Sequence, residues 1–274
     1  MPELPEVETI KNELSPWVVG QSFAQVSIFD TDLVPETSIE EFRHKLIGQT
    51  IRSLERRGKY LIFHLDNQAL LMHLRMTGTL LLNPRGIDRY ARASFQFSNG
   101  NQLVFVDRRR LGVMWLVKDA GAVVGKLGPE PLGDSFTPGI LAQRLNQHHI
   151  PIKAALLDQS IIAGVGNMYA DEALFAARIH PLTKANTLVA EEVQTLYRCI
   201  REVLWSAISS KGASVDTYVR PEGELGTAHF NFKVAHRDGQ LCPLCGTPIK
   251  RILVRNRGSY FCPNCQPLSF GLLI

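Results

Sequence analysis

The sequence has no long apolar run. No stretch approaches the roughly 18 consecutive apolar residues that a membrane-spanning helix needs, and internal repeats and low-complexity tracts are also missing. The first ten residues, MPELPEVETI, carry acidic side chains where a secretory signal peptide has a positively charged region followed by an apolar one. These absences argue against a helical membrane protein and an exported one, so we expect a cytoplasmic protein.

Cysteine is scarce, with five residues in 274, but four of the five are regularly spaced. Cys242 and Cys245 form one CxxC pair, and Cys262 and Cys265 form a second after sixteen intervening residues. This spacing matches a closed tetrahedral site for one structural zinc ion, because each pair turns two thiolates toward the same ion. Disulfides are a poor alternative in a cytoplasmic protein. The fifth cysteine, Cys199, lies in an apolar helical segment and is interpreted as a core residue.

The excess of positive charge is small, at +4 overall, but it is unevenly distributed. From residue 225 onward there are six Lys and Arg residues against Asp238 alone, so the rest of the chain is close to neutral. A concentrated basic segment is typical of proteins that bind polyanions, although solvated basic surfaces are also common. Composition alone therefore leaves a nucleic-acid partner open.

Four of these cations lie between the two CxxC pairs: Lys250, Arg251, Arg255 and Arg257. A hairpin closed at its base by zinc would present them on a rigid loop, as contacts to phosphates or to a groove require. A hairpin that is basic only for solubility is the alternative.

Apolar periodicity predicts a helix at 3–14 and a second between Ser38 and Gly48, where Ser38 and Glu41 form a capping signal. Short runs rich in β-branched and aromatic residues predict a β-sandwich with strands at 22–29, 50–54, 60–65, 69–74, 93–97, 103–106 and 113–117. A segment rich in Gly and Pro at 127–138 marks a domain boundary. Helical spacing follows at 140–145, 152–159, 169–178 and 189–209.

Pro2 is a candidate nucleophile. If Met1 is removed, Pro2 becomes a free secondary amine beside the carboxylate of Glu3. An α-amine has a reference pKa near 8, against about 10.4 for lysine, so more of it is unprotonated near neutral pH and able to condense with an aldehyde carbon. The alternative is that Pro and Glu at a helix start only cap the helix.

A glycine-rich turn, IIAGVGN at 161–167, connects two helical segments. Gly164 and Gly166 permit tight turns, and the amides of the following helix N-terminus, together with the Asn167 side chain, suit a phosphate. Glycines that only join two helices are the alternative.

These motifs together resemble those of the formamidopyrimidine-DNA glycosylase family along nearly the whole chain. The similar segments are MPELPEVETI, GKYLIFHL, HLRMTG, DRRRLG, LGPEPL, GVGNMYADEALFAARIHP, CPLCGTPI and YFCPNCQ. The resemblance implies an α+β fold. It consists of an N-terminal helix and β-sandwich at 1–130, a helix-two-turn-helix region at 131–228, and a zinc hairpin with a C-terminal tail at 229–274.

The resemblance also implies a function in base-excision repair. The protein is expected to act as a monomer on double-stranded DNA that contains oxidised purines (8-oxoguanine, formamidopyrimidines) or abasic sites. It would excise the base through a Schiff base on Pro2 and cut the strand by β,δ-elimination. The lesion must be flipped out first, because the sugar carbon cannot be reached inside the stacked duplex.

Roles for single residues follow from the same resemblance. The predicted catalytic residues are Pro2, Glu3, Lys59 and Arg257: Glu3 handles protons at the sugar, Lys59 contacts a phosphate and transfers protons, and Arg257 grips the phosphates beside the lesion. The predicted DNA contacts are Glu6, Met76, Tyr90, Arg109, Leu111, His149, Lys153 and Asn167. Among these, Glu6 contributes to lesion recognition, and Lys153 and Asn167 hold the backbone. Met76, Arg109 and Leu111 fill the void left by the flipped base.

The chain departs from the family pattern at several positions. Leu111 stands where the void-filling residue is usually Phe, so aromatic stacking on the bases is lost. Arg108 stands where the family usually has Pro, and Tyr90 stands where it commonly has His. At position 149, where the family has a basic residue, this chain has His149. The hairpin reads NRGS rather than GRGT, and an apolar tail, PLSFGLLI, follows Cys265 without an assigned role.

Two other functions are compatible with part of the sequence. An endonuclease VIII-type enzyme shares the nucleophile but prefers oxidised pyrimidines. Leu4, where that branch typically has Gly, and the void-filling trio favour the purine enzyme. An inactive DNA-binding module would keep the hairpin and the helical region, but intact Pro2, Glu3 and Lys59 argue against it.

Overall fold

The computed structural model describes residues 2–86 and 88–268, and its chain divides into two compact units. The first contains Met1–Lys126 and Ala207–His229, and the second contains Leu127–Ser206 and Phe230–Ile274. The predicted boundary segment at 127–138 thus starts the second unit. The finer division at 130 and 228 stays a prediction. The last six residues of the apolar tail, to which the sequence assigned no role, lie outside the described part of the chain. Among the described residues, no helix is long and apolar enough to cross a membrane.

The first unit combines helices with two antiparallel sheets. Its elements are α1 (Leu4–Val18), β1 (Phe23–Ile28), α2 (Ile39–Leu46), β2 (Ser53–Arg57), β3 (Tyr60–His64), β4 (Ala69–His73), β5 (Gly78–Leu82), β6 (Ala91–Phe97), β7 (Gln102–Asp107), β8 (Val113–Val117) and α3 (Gly121–Val124). One sheet has the order β1-β6-β7-β5 and the other β2-β3-β4-β8. Side chains of both sheets, such as Phe95 and Met72, share one buried core with the apolar face of α1. The predicted helix and β-sandwich, and with them the α+β class, are confirmed.

The largest differences from the predicted strands are at β5 and β2. β5 was not predicted, because its residues are almost all buried and the alternation of apolar and polar side chains is missing. β2 begins at Ser53 rather than at residue 50. The Asp66 carboxylate accepts hydrogen bonds from the Thr50 amide at 2.8 Å and from Arg52 Nε at 2.7 Å, and these bonds fix the segment before the ladder starts.

The second unit contains helices and a hairpin. Its helices begin with α4 (Pro138–Asn146), α5 (Ile152–Leu157) and α6 (Asn167–Ala176). The long α7 (Ala190–Ser209) follows and belongs to this unit up to Ser206. The hairpin strands are β9 (Lys250–Val254) and β10 (Arg257–Phe261). The four predicted helices are confirmed. The hairpin closes through Arg255 and Asn256, whose φ angles of 45° and 60° suit the two-residue turns that match strand twist.

Candidate functional site

Pro2 and Glu3 lie immediately before α1, and both are buried. The Glu3 amide donates to Glu6 Oε2 at 2.8 Å, and the Glu3 carbonyl accepts from the Val7 amide at 3.1 Å. These residues therefore do cap the helix, as the alternative interpretation expected. Capping also fixes the position of residue 2, so it is compatible with the predicted nucleophile.

Glu6 joins the start of α1 to a segment far along the chain. Its side chain is fully buried; while Oε2 holds the Glu3 amide, Oε1 accepts from the Ala213 amide at 2.8 Å. Gly212, with φ of 79°, allows this approach, since a Cβ there would lie 3.0 Å from the Glu6 side chain. Glu6 thus positions the backbone next to Pro2, and its predicted part in lesion recognition stays a prediction.

Lys59 occupies the two-residue turn between β2 and β3, where Gly58 adopts a φ of 57°. It is only 8% exposed. A chain of contacts links this turn to α1: Arg56 Nε donates to Glu8 Oε2 at 2.7 Å, and Arg56 Nη1 donates to the Gly58 carbonyl at 3.0 Å. Burial opposes ionisation of Glu8, but hydrogen bonds from Lys11 and Arg56 outweigh it and lower its pKa. The Lys59 turn and the helix that begins beside Pro2 are therefore tied together.

His73, at the end of β4, was not singled out by sequence reasoning. Burial, followed by the positive charges of Arg75 and Lys59, lowers its pKa to about 3. Its Nδ1 accepts from the Arg75 amide at 3.0 Å, and its ring lies edge-on to Tyr60 at 4.6 Å. His73 is therefore a neutral imidazole that fixes the segment leading to Met76.

Met76, Arg109 and Leu111 form a partly exposed surface that we call the wedge. Arg109 and Leu111 are exposed on the loop between β7 and β8, and Leu111 is 41% exposed. Arg109 Nη1 lies 3.2 Å from the sulfur of Met76, so the three predicted void-filling residues come together. An exposed apolar side chain beside a guanidinium suits insertion between bases and hydrogen bonding to a base edge.

Tyr90 lies under two guanidinium groups. Arg89 and Arg108 stand 4.7 and 5.5 Å from the centre of its ring. The Tyr90 carbonyl accepts from the Asp107 amide at 3.0 Å, at the start of the wedge loop. Arg108, one of the departures from the family pattern, therefore stacks on Tyr90, another of them. The predicted DNA contact of Tyr90 stays a prediction.

Lys153 and Asn167 meet at one carbonyl of the hairpin. Lys153 Nζ and Asn167 Nδ2 each lie 3.0 Å from the Gly258 oxygen, and Gly258 directly follows Arg257. The Lys153 side chain is fully buried, and its ammonium lies 2.6 Å from Asp171. Both residues thus support the strand that carries Arg257, and their predicted backbone contacts stay predictions.

Asp171 is a further residue that sequence reasoning missed. Burial raises its pKa to about 7, although the neighbouring Lys153 ammonium acts in the opposite direction. The sequence feature that could have indicated Asp171 is an acidic pair, Asp171 and Glu172, within an otherwise apolar helix. The Glu172 carboxylate accepts from three consecutive amides at 233–235 and so fixes the chain that enters the zinc hairpin.

His149 is exposed between α4 and α5, and its Nδ1 lies 3.0 Å from Asn186 Nδ2. Among the contacts of the described residues, none joins His149 to the other predicted site residues. Its DNA contact stays a prediction.

The four cysteines of the CxxC pairs converge. The sulfur atoms of Cys242, Cys245, Cys262 and Cys265 all lie within 4.8 Å of one another. Gly246, with φ of 74°, turns the first knuckle, and its amide donates to the Cys242 carbonyl at 2.9 Å. Four soft sulfur ligands at such distances fit one tetrahedral zinc ion and leave no position for substrate. Cys199, by contrast, is a buried residue of α7, as interpreted.

Comparison with known proteins agrees with this geometry. Residues 1–114 match the model of the formamidopyrimidine-DNA glycosylase N-terminal domain, residues 127–219 the H2TH domain of the same protein, and residues 239–268 the zinc finger found in FPG and IleRS. A formamidopyrimidine-DNA glycosylase of Symbiobacterium thermophilum is 42% identical over 100% of this chain and 92% of its own length. The chain belongs to the formamidopyrimidine-DNA glycosylase family.

Solved structures of similar glycosylases agree in fold. A Lactococcus lactis FPG variant in complex with DNA containing Fapy-dG is 35% identical, with a TM-score of 0.91 over 97% of this chain and 100% of the other. A MutM protein in complex with DNA containing carbocyclic 8-oxo-G is 35% identical, with a TM-score of 0.89 and the same coverage. The helix-two-turn-helix module and the zinc finger of this glycosylase are thus confirmed, and zinc is its metal.

The glycosylase brings its predicted site residues together in groups within each unit. In the first unit, Pro2, Glu3 and Glu6 form one group and the wedge another. In the second unit, Lys153 and Asn167 meet the hairpin beside Arg257. The residues that sequence reasoning missed, His73 and Asp171, are buried supports whose partners are distant in sequence or lie in turns.

Proposed function

We propose that this glycosylase excises oxidised purines from double-stranded DNA and cuts the strand at the resulting abasic site. The observation that carries the proposal is Pro2 at the capped start of α1, next to Glu3, in a chain that matches the family along its whole length. The similar structures with Fapy-dG and carbocyclic 8-oxo-G support purine lesions as the substrate class.

In the first chemical step, the Pro2 amine attacks the sugar carbon that bears the damaged base. The glycosidic bond breaks, the base leaves with its electron pair and gains a proton, and the amine loses its proton. Opening of the sugar ring, with proton transfer by Glu3 to the ring oxygen, gives a Schiff base between Pro2 and the sugar.

The Schiff base makes the adjacent carbon acidic. Removal of its proton expels the 3′ phosphate, and a second elimination expels the 5′ phosphate, so that the strand is cut on both sides of the lesion. Water then hydrolyses the iminium and releases the sugar fragment. We assign proton transfer during these steps to Lys59 and the grip on the flanking phosphates to Arg257.

The second unit supplies backbone contacts. The first-turn amides of α6 and the side chain of Asn167 are assigned to phosphates. The buried Lys153 acts through the hairpin, where its ammonium holds the Gly258 carbonyl beside Arg257. The zinc ion, held by the four cysteines, fixes the base of the hairpin that presents Arg257. Because the substrate is chromosomal DNA, we place the enzyme in the bacterial cytoplasm, where it would act as a monomer.

The test is single-turnover cleavage of duplexes that carry 8-oxoguanine or an oxidised pyrimidine opposite each normal base. We expect the purine duplexes to be cut faster. Borohydride should trap the protein covalently at residue 2, and retention of Met1 should abolish trapping while DNA binding remains. Faster cutting of the pyrimidine duplexes would overturn the substrate assignment, and an adduct on Lys59 would overturn the nucleophile.

A further inference from the structure

We propose that Asp107 is the positioning residue of the wedge and thereby sets the discrimination of the base opposite the lesion. This inference rests on the proposed function, since the wedge acts only on a duplex from which a nucleotide has been flipped. The carboxylate is assigned no contact with DNA. It acts through Met76, Arg109 and Leu111.

Asp107 ends β7, is fully buried and uses both carboxylate oxygens. Oδ2 accepts from the Leu111 amide at 2.8 Å and from the Gly112 amide at 2.7 Å. Oδ1 accepts from the Arg109 amide at 3.2 Å and from the Thr77 hydroxyl. A single side chain therefore fixes the backbone of both wedge residues in the β7–β8 loop.

Thr77 extends the connection to the third wedge residue. It directly follows Met76, its hydroxyl donates to Asp107, and the same oxygen accepts from the Arg109 amide at 3.1 Å. Two segments 30 residues apart in sequence are thus joined at one buried point. The short distance between the Met76 sulfur and the Arg109 guanidinium follows from these hydrogen bonds through Thr77.

Arg92 and Asp30 extend the network and hold further points of the same loop. The buried Arg92 donates through Nε to Asp30 Oδ2 at 2.6 Å and through Nη1 to the Gly112 carbonyl at 2.7 Å, and its guanidinium lies 3.6 Å from Asp107. Asp30 also pairs with the exposed Arg110 at 2.9 Å. Buried carboxylate oxygens need hydrogen-bond partners, and the four donors to Asp107 supply them.

This arrangement bears on specificity because hydrogen bonding to a base edge depends on the placement of the donor. A guanidinium on a fixed backbone loses less entropy on contact with the unpaired base and favours one geometry over others. If the loop were free to adjust, Arg109 could pair with several bases and the preference would fall. Asp107 therefore affects discrimination more than the chemistry at Pro2.

Two variants test the inference. Asp107→Asn keeps the shape but replaces one acceptor oxygen with an amino group that cannot accept from the amides. Thr77→Val is nearly isosteric and removes only the hydroxyl that connects Asp107 to the Met76 segment. Thr79→Val is the matched control, because Thr79 is a buried threonine of β5 outside this network. Arg109→Ala serves as the reference for a damaged wedge.

The measurement is the single-turnover rate on duplexes with 8-oxoguanine opposite each of the four bases, together with dissociation rates. The ratio among the four rates is informative, since a partly unfolded preparation lowers all four equally and leaves the ratio unchanged. We expect the four cleavage rates to become nearly equal in Asp107→Asn and Thr77→Val, so that most of the wild-type preference for the opposite base is lost. Arg109→Ala should show the same loss. Dissociation from the lesion duplex should be faster than for the wild type, because binding must then order the loop that carries the wedge. Thr79→Val should behave as the wild type.

The inference would be overturned if Asp107→Asn and Thr77→Val kept the wild-type ratio of the four cleavage rates while Arg109→Ala changed it. The proposed function would still stand in that case. If Asp107→Asn does not fold, Thr77→Val decides. If the wild type fails to cut oxidised purines, the proposed function is wrong and the inference falls with it.

Discussion

Leu111 presents an aliphatic side chain at the tip of the wedge loop, with 41% of its surface exposed. Leucine can fill the void left by a flipped base, but it lacks the aromatic face that stacks on neighbouring bases. Because stacking is worth about 1–3 kcal/mol per base, we expect Leu111→Phe to slow dissociation from a lesion duplex at least severalfold. Dissociation is measured with chemistry blocked by Glu3→Gln. Leu182→Phe, at a similarly exposed position, is the control, and an unchanged rate in Leu111→Phe would contradict the wedge assignment.

His73 gives a pH prediction at the residue scale. Its pKa in the folded protein is about 3, chiefly because of burial, whereas an unfolded histidine titrates near 6.5. The unfolded state therefore binds the proton first. The stability that depends on neutral His73 is complete above pH 6.5 and is lost as the pH falls toward 3, by up to about 1.4 kcal/mol per pH unit.

His73→Asn keeps an acceptor for the Arg75 amide but does not titrate in this range. We expect the difference in unfolding free energy between wild type and variant to change as the pH is lowered from 7.5 to 4.5, with the wild type losing more. Other titrating groups contribute to both proteins and cancel. Unfolding free energies are measured by denaturant titration at each pH. A difference between wild type and variant that does not change with pH would mean that His73 binds its proton equally well in the folded and unfolded states, which contradicts the lowered pKa.

At the scale of elements, the zinc hairpin depends on a metal for its base. We expect one zinc per chain in purified protein and its loss in Cys245→Ser, because three thiolates hold the ion less tightly than four. In Cys245→Ser the affinity for DNA should fall strongly, whereas the thermal stability of the sandwich should fall only slightly. Cys199→Ser is the matched control, since Cys199 lies in α7 and should leave the zinc content at one. Active wild-type protein without zinc would contradict the prediction.

The elements could be predicted where local signals were strong. Ser38 and Gly48 marked the ends of α2, and its start is capped as expected, with the Ser38 hydroxyl accepting from the Glu41 amide at 3.1 Å. β5 escaped because a strand buried on both faces has no alternating pattern. α1 continues to Val18 beyond the predicted end at 14, because Val18 is also buried in the sandwich core.

At the scale of the whole molecule, residue types predicted the chemistry, but long-range pairing could not be predicted. Spacing alone predicted the zinc cysteines, and their convergence is confirmed. The contacts that fix the site join Glu6 to Ala213 across 207 residues and Lys153 to Gly258 across 105. No local pattern encodes such pairs. For the same reason Asp107, which lies just beyond the strand predicted at 103–106, was not indicated as the residue that connects the wedge segments.

Charge distribution is also a property of the whole molecule, and it gives the last prediction. The positive charge is concentrated in the segment from residue 225 onward, and Arg255 is exposed at the turn of its hairpin. If Arg255 neutralises one phosphate, Arg255→Gln should reduce the slope of log affinity against log salt by about 0.9, the value for one released counterion. Binding should weaken equally on lesion and undamaged duplexes, because a phosphate contact carries no base information. Lys45→Gln, which removes one exposed charge from α2, is the control and should keep the wild-type slope. The slopes are measured by fluorescence anisotropy across a salt series. Equal slopes for the wild type and both variants would show that Arg255, at the hairpin turn, does not contact a phosphate.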